Sequence, residues 1–268
     1  MRLSKVVLVL SFLFVPTLAF AWGPLTHIYL GSELFSLGAL LPAGVLEVIR
    51  RYRKDFLYGT IMADIIIGKK YLPDNRSSHS WDVAFELLKS ARTGQQKAFV
   101  YGYLSHLAAD SVAHNSYTVD RKNIGHTFME MKADSIIDKK YWFQALSIDR
   151  RIQVRNDLFL ESCLERFMFS FKTNKRILKG MVFFSVVNRE KIGDFIDKRL
   201  VTSLPDREII ENLHQESLDK MIDLLENLEN SGVVALSPSG TVRRGRLFNV
   251  IVQLGSDRGG RGRLSSQR

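Results

Sequence analysis

Five of the six histidines of this chain lie between residues 27 and 126, and His106, Asp110 and His114 follow one another at intervals of four. The residues between them are almost all Leu, Ala and Val. On an α-helix a step of four advances by about 40°, so the three groups form one polar stripe on an otherwise apolar cylinder. Ionisable groups on a buried helix need compensation, and a bound cation supplies it. The pattern repeats downstream, where His126 and Glu130 stand at i and i+4 and offer nitrogen and oxygen donors that suit zinc. Asp134 continues that stripe, either as a partner behind an imidazole or as a solvated acid. Asp64 is embedded in the apolar run 60–67, where an aspartate must be paired or ligating. His79 stands just before Trp81, and His27 follows Trp22 by five residues. His214, on a charged helix, reads as a surface residue. Together the histidines and carboxylates predict a metal site.

A stripe of this kind requires helices, and the rest of the chain supplies them. Apolar residues recur at spacings of three and four over 28–53, interrupted at Pro42 and Gly44. Residues 69–78 read as a loop. Further helices are expected over 81–91, ended by Thr93-Gly94, over 98–114, buried, and over 124–139, 157–172, 174–187 and 206–228. Clean alternation is scarce, so the fold class is all-α, a multi-helix bundle. Cys163 is the one cysteine, which excludes an intrachain disulfide framework and a cysteine-based zinc site.

The ends differ from the body. Arg2 and Lys5 precede an apolar run from Val6 to Phe14, Pro16 breaks it, and Ala19 and Ala21 stand at −3 and −1 of a cleavage site. This is the pattern of a secretory signal peptide over 1–21, so the chain is expected to be exported, to the periplasm or beyond the cell, with Trp22 as its new terminus. A free α-amine there and the His27 imidazole can share one metal. Residues 22–235 form the helical domain. Residues 236–268 form a basic tail whose last 32 residues hold seven arginines against Asp257. The tail reads as a solvated end or as an electrostatic contact, with a short strand or helix at 247–254. The net charge of +10 favours an anionic partner: a membrane surface, a nucleic acid or a phosphorylated substrate. No stable protein partner is evident.

These residues resemble the zinc-dependent phospholipase C family, which is similar in turn to the P1/S1 single-strand nucleases. The resemblance covers Trp22 to Glu130 and implies an all-helical domain with three zinc ions. Its nine ligand positions fall, in order, on Trp22, His27, Asp64, His79, His106, Asp110, His114, His126 and Glu130. It implies one ion on Asp64, His79, His106 and Asp110, a second on Trp22 and His27 with Asp110 bridging, and a third on His114, His126 and Glu130. Three residues separate Asp110 from His114, where the better-known secreted phospholipases and the nucleases have five. That spacing looks more like the broader bacterial branch and the catalytic domain of glycosylphosphatidylinositol-specific phospholipase D.

The resemblance implies a phosphodiester hydrolase acting on phospholipid, in which metal-activated hydroxide attacks phosphorus and Asp64 orients or deprotonates the water. Tyr71, Trp81, Tyr101, Tyr103 and Phe128 line a cleft or pack the core. Two other readings fit the same residues. A P1/S1-like single-strand nuclease suits the positive charge and the fifteen-residue step from Asp64 to His79. A catalytically inactive, metal-stabilised binding domain would keep the ligands with a closed cleft.

Overall fold

In the computed structural model, which describes residues 22–65, 77–117, 132–138, 140–163, 175–176 and 207–240, the elements are helices, with no strand among the described residues. They are α1 (Pro24–Glu33), α2 (Ala43–Arg51), α3 (Arg53–Met62), α4 (Trp81–Ser90), α5 (Gly94–Val112), α6 (Lys140–Leu146), α7 (Arg150–Cys163) and α8 (Arg207–Asn227). Residues 132–136 are helical as well. The all-α expectation holds. No helix among the described residues is long and apolar enough to cross a membrane.

Helix α5 is the axle. Every residue from Gly102 to Val112 is buried, polar ones included, because α3 and α8 cover it on separate faces. Its start is fixed locally: the Thr93 hydroxyl accepts from the Gln96 amide at 3.2 Å, and the Gln96 side chain accepts from the Thr93 amide at 3.1 Å. This is a capping box. Thr93-Gly94 therefore begins α5 as well as closing the turn after α4, and the helix starts four residues before the expected 98. At its far end α5 passes into a π-helical turn, Ala113–Tyr117, which carries His114.

The α3–α5 crossing depends on two glycines. A Cβ on Gly59 would strike the Phe99 carbonyl oxygen, and one on Gly102 would strike the Phe56 carbonyl oxygen. The helices thus meet backbone to backbone, closer than any side chain allows. That approach brings the end of α3, where the 3-10 turn Ala63–Ile65 carries Asp64, beside the middle of α5.

Helices α4 and α8 fall within a residue of their expected limits, whereas α7 begins at Arg150, seven residues before the expected 157. The periodic stretch 28–53 is divided, with Pro42 capping α2. Helices α3 and α6 were not anticipated. In α3, Asp55 to Thr60 and Met62 are all buried, so no amphipathic stripe marks it. The loop 69–78 is described only at its last two residues. The parts 124–131 of the helix expected over 124–139 and 164–172 of that expected over 157–172, the helix expected over 174–187 beyond residues 175–176, and the element at 247–254 lie outside the described residues, as do the signal segment 1–21 and residues 241–268.

Candidate metal centre

Four side chains from three places in the sequence converge on one buried point. Asp64 comes from the 3-10 turn after α3, His79 from the segment before α4, and His106 and Asp110 from successive turns of α5. Their ligand atoms all lie within 4.8 Å of one another. His79 Nε2 is 3.2 Å from Asp64 Oδ1, 3.0 Å from Asp110 Oδ2 and 3.1 Å from His106 Nε2. His106 Nε2 is 3.3 Å from Asp110 Oδ2 and 3.6 Å from Asp64 Oδ1. A tetrahedral zinc with bonds of about 2.0–2.2 Å holds its ligands about 3.3–3.6 Å apart. The five observed edges, 3.0–3.6 Å, are within about 0.3 Å of that range, and two imidazoles with two carboxylates are a donor set that zinc accepts.

The surroundings aim these groups. His106 Nδ1 donates to the Thr60 carbonyl at 2.8 Å, which leaves Nε2 of the neutral ring with its lone pair toward the cluster. His79 Nδ1 lies 3.2 Å from the Ser78 hydroxyl, and its backbone N–H donates to the Ser77 hydroxyl. The Tyr103 hydroxyl, one turn before His106, donates to the Ser78 carbonyl and ties the His79 segment to α5.

Asp110 faces two ways. Its Oδ2 belongs to the cluster, while its Oδ1 lies 3.1 Å from His27 Nε2 and accepts from the Trp22 backbone nitrogen at 3.3 Å. The His27 nitrogen is buried and makes no hydrogen bond of good geometry among the described residues. Two donor atoms pressed together without a hydrogen bond between them are what a shared cation reconciles. The Trp22 indole is anchored by the Ala109 carbonyl at 3.1 Å and the Ser217 hydroxyl of α8 at 3.2 Å.

Electrostatics follow the same layout. Burial tends to raise the Asp110 carboxyl, but His106 and His27 beside it hold it well below the usual carboxylate range. Burial pushes His106 down while Asp110 and Asp64 push it up, and the carboxylates prevail. For His27 burial, aided by His106, outweighs Asp110 and Asp64 and lowers its pKa. A bound cation would replace these proton-dependent balances with a fixed charge.

His114 is also buried, on the π turn, with Gly240 packed against its ring, and it is not among the four converging groups. His126 and Glu130 lie outside the described residues. Asp134 is not a solvated acid: it is buried and accepts from the first turn of α1, while His126, the imidazole on its own stripe, lies outside the described residues. His214 is a correction. It is 3% exposed, and its ring meets that of Trp22 edge-on at 4.9 Å. The signal was present, since Ile210, His214, Ser217, Met221 and Leu224 form one stripe of α8, and the charged residues that suggested a surface lie on its other faces. Trp81 and Tyr103 are core residues, Tyr101 is half-buried, and Tyr71 and Phe128 lie outside the described residues.

No curated protein and no solved structure matches the chain. The family model described as zinc-dependent phospholipase C matches residues 26–177, a span that holds His27 and the whole four-residue cluster and leaves Trp22 just outside. That span is more than half of the 268 residues, and the chain belongs to the zinc-dependent phospholipase C family.

Proposed function

We propose that the chain is an exported zinc-dependent phosphodiester hydrolase that acts on phospholipid and releases diacylglycerol, with three zinc ions at full occupancy. The observation that carries this reading is the divided carboxylate of Asp110, one oxygen in a buried four-residue His/Asp cluster and the other against His27 and Trp22. A carboxylate so placed is suited to join two ions. Asp64, His79, His106 and Asp110 would hold one ion; Trp22, His27 and the far oxygen of Asp110 would hold another. His114, His126 and Glu130 would hold the third. The position of the Trp22 nitrogen supports cleavage after Ala21, because the freed amine would arise beside Asp110.

Zinc, when bound, supplies Lewis acidity, which lowers the pKa of a water and neutralises charge on a phosphate. The chain supplies the rest. Asp64 orients the attacking water and takes its proton, while the Thr60 carbonyl keeps the His106 ring turned to its task. Water oxygen forms the new bond to phosphorus, the bond to the glycerol oxygen breaks, and the proton passes to that oxygen. The basic charge of the chain favours an anionic lipid surface.

The test is a product analysis on zinc-loaded protein with phosphatidylcholine vesicles and, in parallel, single-stranded DNA. Diacylglycerol and phosphocholine, lost on chelation, support the reading. Phosphatidic acid would move the cut to the other side of the phosphate. Cleavage of the DNA alone, weakening steeply with salt, would replace this reading with the nuclease. Full zinc occupancy with no hydrolysis of either substrate would favour the inactive binding domain.

A further inference from the structure

Asp134 holds the start of α1 from across the sequence. Its Oδ1 accepts from the Thr26 amide at 2.8 Å and from the Thr26 hydroxyl at 2.7 Å, and its Oδ2 lies 3.3 Å from the Leu25 amide. Among the described residues helix α1 has no other side-chain cap there: Gly23 is its N-cap and has no side chain, and Pro24 has no N–H to give. The fit is close on both sides. A Cβ on Gly23 would land on the Asp134 carboxylate, so glycine is what lets the acid reach the turn. Asp134 is 5% exposed, and Trp22 to Ile28 are all buried around it.

The clamp sits between the two groups that face the far side of Asp110. Trp22, one residue before Gly23, sets its nitrogen 3.3 Å from Asp110 Oδ1, and His27, one residue after Thr26, sets Nε2 3.1 Å from the same oxygen. Rotation or fraying of this one turn would move both together. In the cluster of Asp64, His79, His106 and Asp110, by contrast, no residue comes from α1. In sequence Asp134 also follows His126 and Glu130 at the same spacing of four, so the acid that grips α1 extends the series predicted to hold a third ion.

We propose that Asp134 is a positioning residue that assembles the second metal position, by fixing Trp22 and His27 against Asp110, without taking part in the first. This rests on the reading of the centre as a zinc site. An acid serving only as a helix cap would affect stability alone.

The experiment measures zinc stoichiometry and chelator-competition affinity on the full chain for wild type, Asp134→Ala, Gly23→Ala, their double variant and Asp134→Asn, with a melting curve for each. The expected result for Asp134→Ala is one position weakened about 10- to 100-fold, the range seen when a group that orients a ligand is removed, with the tight cluster still filled. Gly23→Ala should do the same by displacing the carboxylate, and the double variant should be no worse than either single one. Asp134→Asn, which keeps an acceptor for Thr26, should recover part of the loss. Should Asp134→Ala fail to fold, Gly23→Ala and Thr26→Val carry the same test. Unchanged zinc affinity in the variants, whatever their melting temperatures, overturns the positioning role while leaving the zinc reading intact. A wild-type chain that holds no zinc overturns both.

Discussion

A buried carboxylate with imidazoles on both oxygens has more to lose than any single histidine around it. Replacing Asp110 by Ala removes a donor from the cluster and the contact with His27 and Trp22 at once. Asp110→Ala should therefore release zinc from two positions, and His79→Ala from one, with elemental analysis as the measurement; equal losses would count against the joining role. In the metal-free chain Asp110→Ala should cost about 3–5 kcal/mol, the usual price of breaking a buried ionic pair. His214 gives a pH prediction. Burial, ahead of the opposing pull of Glu211 and the added push of His27, brings its imidazole down to about 4. In the unfolded chain the value is about 6.5. Between those values the unfolded state binds more protons, so stability is full above about pH 6.5 and falls as pH drops toward 4. The gap is worth about 3 kcal/mol. His214→Phe, which keeps a ring beside Trp22, should flatten that fall in denaturant midpoints, and parallel profiles would refute the assignment.

At the scale of elements, the centre is set by how helices meet. Gly102→Ala should force α3 from α5, cost about 1–3 kcal/mol or more, and weaken zinc binding by shifting Thr60 and Asp64 away from His106. Thr93→Ala should cost about 1 kcal/mol through the lost cap and leave zinc affinity unchanged, which separates helix stability from site geometry. Melting curves with and without zinc read both. The same distinction explains what could be seen in the sequence. His106 and Asp110 were legible as partners because helical spacing alone puts them on one stripe. Asp64 and His79 were legible only as an acid among apolar neighbours and a histidine before a helix. Their convergence is created by a glycine-lined crossing and a tyrosine hydroxyl, neither of which leaves a periodic signal. The grip of Asp134 on α1 was not legible because Thr26 is 108 residues upstream, and spacing on its own helix says nothing of it. His214 could have been read correctly from the phase of α8.

Across the described residues, both ends of the described chain pack near the site. Trp22 sets its nitrogen beside Asp110, while the segment after α8 returns to the bundle, where the Leu236 carbonyl accepts from the Trp81 indole at 2.9 Å and Gly240 packs on His114. A chain ending at residue 240 should keep its zinc and its melting temperature. One ending at residue 235 leaves the Trp81 donor unpaired and should lose about 1–3 kcal/mol. Folding and metal binding are coupled in such a centre, so chelation should lower the melting temperature in proportion to zinc released. The most direct measurement is an anomalous difference map at the zinc edge from crystals of the zinc-loaded chain. The account predicts a peak between Asp64, His79, His106 and Asp110 Oδ2, and a second on the Oδ1 side of Asp110 beside Trp22 and His27. Absence of density at the four-residue cluster would contradict it.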